Sequence, residues 1–302
     1  MKRGLGYILA FVFILTLLAC SNNKMDDEGL TDKEKLELLD AKIEKHPKDA
    51  SLYASRAMLL MNLGRTLEAT ADIEKAVSIE PRNVEYHLRQ ADVYFARGDV
   101  EKSYKALSEA EQLAPENMEV QLKMGEVTFY SRDYDRSLKC LSKVTEKEPD
   151  NRTALFMTGF IYKEKGDTLS AVQLLRRVCD LYPDYSPAFE ELGVLYASHN
   201  NPLAEEYLGT VIQMDSTNTN ALYALAMYHQ DRGEMDAAEN LYQRIVGINP
   251  RSADSWHNLG YIEMTYYHDY KRAIELFDSA LTIDPYMESA LHNQQVAREA
   301  MK

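Results

Sequence analysis

Tryptophan and cysteine are nearly missing from this sequence, with one and three residues in 302. So few cysteines exclude a small scaffold stapled by disulfides. Basic residues are also short: 34 Lys and Arg stand against 48 Asp and Glu, a formal net charge of −14. A chain this acidic lacks the positive face that phosphates demand, which argues against nucleic acid as a partner. No G-x-x-x-x-G-K-S/T, G-x-S-x-G, H-E-x-x-H or C-x-x-C occurs, and the seven histidines are scattered, none paired with another at metal-ligand spacing. The sequence therefore offers no catalytic constellation, and no enzyme activity, cofactor or metal is expected. With 45% apolar and 27% charged residues, the bulk is neither disordered nor a polytopic membrane protein.

What is present begins with an address. Met1-Lys2-Arg3 precedes an apolar run from about Tyr7 to Ala19, which ends at Cys20. A basic start, a short apolar stretch and a small residue at its end describe a secretory signal. The run is short of the roughly 20 apolar residues a spanning helix needs. Leu17-Leu18-Ala19-Cys20 resembles the bacterial lipobox, which implies cleavage after residue 19 and a lipid on Cys20. Loss of Lys2 and Arg3 takes the formal charge from −14 to −16. Such a chain gains nothing from attraction to an anionic bilayer, so the lipid must hold it there. By resemblance to lipoprotein sorting rules, Ser21 points to the outer membrane. Asp26-Asp27-Glu28 resembles a surface-export signal and reads equally as part of a solvated tether over 20–31.

Proline is sparse, with nine residues, and seven of them keep one register. Pro47, Pro81, Pro115, Pro149 and Pro183 are 34 apart; Pro250 follows after 67 and Pro285 after 35. A fixed period of this size means a repeat array. Small residues recur inside it, first as Ala57, Ala91, Gly125, Gly159, Gly193, Ala226 and Gly260. A second series runs Ala69, Ser103, Ser137, Ala171, Ala204, Ala238 and Ala273. Such positions are needed where two helices cross closely. Gly64, Gly98, Gly166 and Gly233 fall between the helices, where a left-handed residue ends the first. Asp49, Asn83, Asn117, Asn151 and Ser252 stand as helix N-caps, and Thr31-x-x-Glu34 is a capping box opening a further helix.

These residues resemble the tetratricopeptide repeat family over about 50–285, most clearly at Trp256, Leu259, Gly260, Tyr261, Ala273, Phe277, Ala280 and Pro285. The resemblance implies an all-α fold, a right-handed α-solenoid of about seven helix pairs. A capping helix over 32–49 precedes the pairs and another over 286–302 follows, because uncapped terminal repeats expose a stacking face. Three repeats depart from the pattern. The third has Arg132-Asp133 in place of the turn glycine. The fifth is one residue short at Asn200-Asn201-Pro202, and the seventh one residue long at Tyr266–Tyr270. Cys140 and Cys179 read as buried free thiols, with a bridge as the alternative.

The resemblance further implies that the first helix of each repeat lines a concave groove. Laid on this sequence, the lining is Met58, Met61, Leu88, Asp92, Phe95, Leu122, Glu126, Phe129, Phe156, Phe160, Glu190, Val194, Tyr223, Met227, His257, Tyr261 and Met264. Lys163 alone resembles a residue of the carboxylate-clamp type, which speaks against that mode. An aromatic, Met-rich, acidic lining suits an amphipathic helix or apolar peptide carrying basic residues; the plainer reading is packing between adjacent first helices. The functional expectation is a lipid-anchored scaffold or adaptor of the bacterial cell envelope that binds other envelope proteins, facing the periplasm or the cell surface. The alternative is a structural subunit, or a homo-oligomer whose groove its own chain fills, within a secretion, pilus or outer-membrane assembly complex.

Overall fold

The computed structural model describes residues 29–302. Among these, all regular structure is helical, in sixteen α-helices that follow one another as antiparallel pairs after a lone first helix. They fall into two compact units, divided between Leu113 and Ala114. The first unit holds α1 (Asp32–Lys45) and the pairs α2 (Ala50–Asn62) with α3 (Thr66–Ile79), and α4 (Val84–Ala96) with α5 (Val100–Leu113). The second begins with α6 (Met118–Tyr130) and α7 (Tyr134–Lys147), α8 (Arg152–Glu164) and α9 (Thr168–Leu181), and α10 (Ser186–Ser198) and α11 (Leu203–Met214). It ends with α12 (Thr219–Asp231) and α13 (Met235–Ile248), α14 (Ala253–Ile262) and α15 (Tyr270–Ile283), and a last helix α16 (Glu288–Ala300).

The small-residue positions are the places where paired helices touch. A Cβ added to Gly193 would lie 2.7 Å from Leu208 Cγ and 3.1 Å from the Leu208 backbone nitrogen. One on Gly260 would meet the Phe277 ring at 2.7 Å. Leu175, Leu192, Leu208 and Phe277 are fully buried at these crossings, and each such side chain contributes about 1.5–3 kcal/mol by leaving water. Ser103 and Ser137 each donate from Oγ across the pair, to the carbonyls of Ala91 (2.9 Å) and Gly125 (2.7 Å). A small residue there thus serves contact and hydrogen bonding together.

Helix ends follow the expected chemistry with one exception. Asp49, Asn83, Asn117 and Asn151 accept from backbone N–H groups of the next turn, and Thr31 with Glu34 forms the reciprocal capping box. Ser252 makes no such bond; its hydroxyl turns to Ser255 Oγ at 2.9 Å. Asn218, which the proline register did not reveal because Ser216 stands where the proline would be, caps α12 through Ala221 N. A further device is shared by several repeats. The fourth residue of the first helix donates back to the repeat-end proline carbonyl, as Tyr53 to Pro47 (3.2 Å), His87 to Pro81 (2.9 Å), Gln121 to Pro115 (2.9 Å) and Trp256 to Pro250 (2.9 Å). A carbonyl that closes no helical turn thereby finds a donor.

The three departures from the repeat pattern have structural answers. Arg132, Asn200 and His268 occupy the left-handed turn position, with φ of 61°, 51° and 59°. The extra residue of the seventh repeat is absorbed by a π-helical turn, Glu263–Tyr267, that continues α14. Cys140 and Cys179 are buried and not joined in a disulfide, and burial pushes the Cys179 thiol up to about 12. The polar residues of the last helix are only partly solvated. Asn293 and Gln294 are half-buried and donate to His257 (3.1 Å) and Asp278 (2.6 Å), while Gln295 and Arg298 face water.

Candidate functional site

Cys20 lies outside the described residues. The other site candidates sit on the first helices of the repeats and belong to two units, each with its own face.

In the first unit, Met58, Met61, Asp92 and Phe95 are half-buried, and Met61 packs against the core of α2 and α3. Leu88 is only 4% exposed, so it packs rather than lines a surface. The feature that sequence reading missed here is Arg56. Its guanidinium grips Asp72 of α3 through two nitrogens (2.6 and 2.7 Å) and Asp40 of α1 through the third (2.5 Å). These contacts raise its pKa, the Asp72 hydrogen bond foremost. The planar fork suits this double duty. It ties the lone first helix to the first repeat, a link between residues 16 apart on either side that periodicity does not show.

In the second unit the aromatic candidates form one connected patch. Phe129 and Phe160 meet edge to face with centroids 5.4 Å apart; Phe156 lies 6.4 Å from Phe160 and edge to face with Tyr185 at 5.4 Å. Leu122, Glu126, Phe129, Phe156 and Tyr185 are half-buried. Phe160, at 9% exposure, is the floor of the patch and not part of its lining. Arg152 covers the Tyr185 ring at 4.7 Å, and Lys163 Nζ stands 4.2 Å from the Phe160 centroid. Tyr185 was not among the expected lining residues. Its place at the helix start, where other repeats carry an Asn or Asp cap, was the available signal.

Lys163 is not free to grip a terminal carboxylate. It is ion-paired with Glu191, the two side chains being 20% and 22% exposed. The neighbouring Glu190 accepts from Asn218 Nδ2 at 2.9 Å. Neither acid is part of a solvated face: Glu191 lies between α8 and α10, and burial raises its carboxyl above the usual range against the pull of Lys163. Val194 is exposed.

The remaining candidates are committed to contacts of their own. Asn258 Nδ2 donates to the Tyr223 hydroxyl at 3.2 Å, and the Tyr242 hydroxyl lies 3.1 Å from Met227 Sδ. His257 bonds Asn258 and receives Asn293 from the last helix. Tyr261 is half-buried against the C-terminal core, and Met264, at 8% exposure, is inside it. Among the expected lining residues, Phe129 and Phe156 are thus the ones that join, with Tyr185, in one half-buried aromatic patch.

One mixed donor cluster exists among the described residues. Glu205, His229 and Glu234 bring ligand atoms within 4.8 Å of one another. Glu234 is already satisfied there, accepting at 2.6 Å from His229 and at 2.9 Å from Arg232, which holds its carboxyl below the usual range. No helix among the described residues is long and apolar enough to cross a membrane.

Comparison with protein families decides the fold's kinship. Two models of the tetratricopeptide repeat match, one over residues 38–117 and 122–186, the other over 195–259, together more than half of the chain. The chain belongs to the tetratricopeptide repeat family. Comparison with curated proteins gives no match. Among solved structures, this tetratricopeptide repeat protein is similar to YrrB, described as a TPR protein with an unusual peptide-binding site, at 23% identity and TM-score 0.51, covering 63% of this chain and 98% of that one. It is similar to yeast Tom70 at 20% identity and TM-score 0.57, covering 89% of this chain and 58% of that one. It is also similar to a tetratricopeptide repeat protein of Parabacteroides merdae at 14% identity and TM-score 0.60, covering 88% and 99%. At these identities the likeness concerns the fold. A protein-protein interaction scaffold is what such a fold suggests.

Proposed function

We propose that this protein is a lipid-anchored scaffold of the bacterial envelope that holds an apolar segment of a partner protein against the Phe129, Phe156 and Tyr185 face. The observation that carries the binding part is this connected, half-buried aromatic patch. Aromatic side chains supply large contact area at low entropic cost and dominate binding energy where water is excluded. The occupant such a face suits is the apolar side of an amphipathic helix. The YrrB description, a TPR protein with an unusual peptide-binding site, lends the reading support by kinship of fold. The anchor rests on Leu17-Leu18-Ala19-Cys20 and the envelope placement on the signal before it.

Two measurements test the proposal. Phe156→Ala is expected to keep the helical circular-dichroism signal and to weaken capture of a membrane-extracted partner by about 1–2 kcal/mol, the truncation cost of a contact-face aromatic. Retention of every partner by that variant would discard the patch. Cys20→Ser is expected to leave the membrane fraction, since stable anchoring takes more than one acyl chain and the variant would carry none. A mutant that is processed and still sediments with membranes would discard the anchor. Light scattering on the soluble repeats separates the rival reading, in which a sister copy fills the face.

A further inference from the structure

The second unit carries a half-open recess of about 550 Å³ at the junction of α7, α8 and α9, whose lining shares no residue with the aromatic patch. One of its lining residues sets it apart from the neighbouring repeats, Thr158. Each first helix has a residue directly before its small crossing position, and in the second unit these are Met124, Thr158, Leu192, Leu225 and Leu259. Met124 and Leu192 are fully buried, Leu259 is 4% exposed and Leu225 is half-buried, so in those repeats a long apolar side chain is packed inward at this position. Thr158 is shorter, and its hydroxyl is spent on the Ala154 carbonyl at 2.7 Å. The space left is walled by Leu138 of α7, Leu155 of α8 and Leu174 of α9.

The rim is charged, and its sign is unusual for this chain. Lys139 of α7 and Arg177 of α9 border the cavity. Residues 134–181 hold nine Lys and Arg against seven Asp and Glu, a net +2 that leaves −16 for the rest of the sequence. Lys139 makes no ion pair among the described residues. Arg177 uses Nη2 on Asp150 at 2.6 Å, which leaves other donors of its fork to face the opening. An apolar hollow with a few cations at its mouth is the usual construction of a small-ligand site, and its volume lies in the usual range of roughly 300–1,000 Å³.

We infer that this cavity binds a small apolar anion, a medium-chain carboxylate whose tail lies on Leu138, Leu155 and Leu174 and whose carboxylate meets Lys139 and Arg177. The neutral analogue lacks the second half of this recognition, and a polar anion lacks the first. The site is independent of the aromatic patch and of the anchor.

The test uses octanoate, with 1-octanol and acetate as comparisons, titrated calorimetrically into the soluble chain. Octanoate is expected to bind, and the other two at least about tenfold more weakly. Thr158→Leu restores the residue type of the neighbouring repeats. It is expected to melt at or above the wild-type temperature while losing octanoate binding at least about tenfold, because the tail's room is filled. Thr158→Met, the side chain of the preceding repeat, is the second variant should leucine overfill the space. Lys139→Glu is expected to weaken octanoate and leave 1-octanol unchanged. Absence of octanoate binding to the wild type, or full binding by both Thr158 variants, overturns the assignment, as does equal affinity for octanoate and 1-octanol.

Discussion

The helix crossings and the helix-to-helix turns of this protein both select glycine, and they enforce the choice with different strength. At the crossings the limit is space. Gly193 has no room for a Cβ, since a Leu208 backbone atom stands 3.1 Å from where it would be. Where alanine is found instead, at Ala57, Ala91 and Ala226, the helices leave room for that one carbon, buried to 0–2% exposure. At the turns the limit is torsion. No atom lies within 4 Å of an added Cβ at Gly166, whose φ is +79°, and Arg132 stands in the same left-handed turn of the preceding repeat. A packing constraint is collective, because yielding there moves a helix. A torsional one is local and costs about 1–2 kcal/mol. Drift in the repeats has accordingly accumulated at the turns.

The largest effect should come from breaking a crossing at its tightest point. Gly193→Leu is expected to destabilise the second unit by about 3 kcal/mol or more, because the new side chain meets backbone and must displace α11. Gly159→Leu should cost less, about 1–3 kcal/mol. There the nearest atoms to an added Cβ belong to side chains, Leu175 at 3.1 Å and the Leu174 Cβ at 3.3 Å, and none comes under 3.0 Å. Thermal melts followed by Trp256 fluorescence report on this unit. Equal midpoints for the two variants would show that backbone proximity does not set the penalty.

A third kind of restriction, charge in a recess, should rank next. Lys163→Met leaves the Glu191 carboxylate without its partner between α8 and α10, at a cost of about 1–3 kcal/mol at neutral pH. The sign with pH follows from the direction of the shift. Burial already raises the folded-state value of Glu191 above its ordinary 4.5, and Lys163 opposes that rise. Removing Lys163 lifts it further. The folded variant then holds a proton the unfolded chain has lost, so its stability falls as pH climbs from about 4.5 through the raised value. The deficit relative to wild type should shrink on acidification to 4.5. A deficit constant from pH 4.5 to 7 would mean that Lys163 acts through its packing on Phe160 alone.

The ease of reading each feature from the sequence follows the same division. Proline spacing and the small-residue series are local and periodic, and they located the helix pairs because the crossings permit so little variation. The patch was legible only in part. Phe129 and Phe156 lie where the register put them, but Met264 and Leu88, which hold the equivalent positions of other repeats, are buried, as is Phe160 in the adjoining column. Which of these side chains is covered depends on the neighbour in the next repeat, which spacing does not reveal. Asp40–Arg56–Asp72 and Lys163–Glu191 were illegible for the same reason: each partner looks like an ordinary surface charge until the helices are packed. Thr158 was written plainly between Met124 and Leu192 in the column that holds Met and Leu throughout the rest of the second unit, but its meaning needed the recess.

The smallest effect belongs to the turns, and it has the opposite sign. Arg132 is exposed, sits at φ 61°, and its side chain makes no hydrogen bond or ion pair among the described residues. Replacing it by glycine removes a torsional cost of about 1–2 kcal/mol and restores part of it as extra freedom of the unfolded chain, about 0.4–1 kcal/mol. Arg132→Gly is therefore expected to stabilise by about 0.5–1 kcal/mol, a small rise in the urea midpoint at unchanged slope. Asn200, at φ 51° in the fifth repeat, differs in that asparagine tolerates the left-handed region well. Asn200→Gly should change stability by a few tenths of a kcal/mol at most, because relief and entropy nearly cancel. The pair separates torsion from sequence context. If both substitutions stabilise equally, the benefit is not relief of arginine strain. If Arg132→Gly destabilises, the Arg132 side chain contributes a contact that outweighs its backbone cost, and the turns are held more tightly than their drift implies.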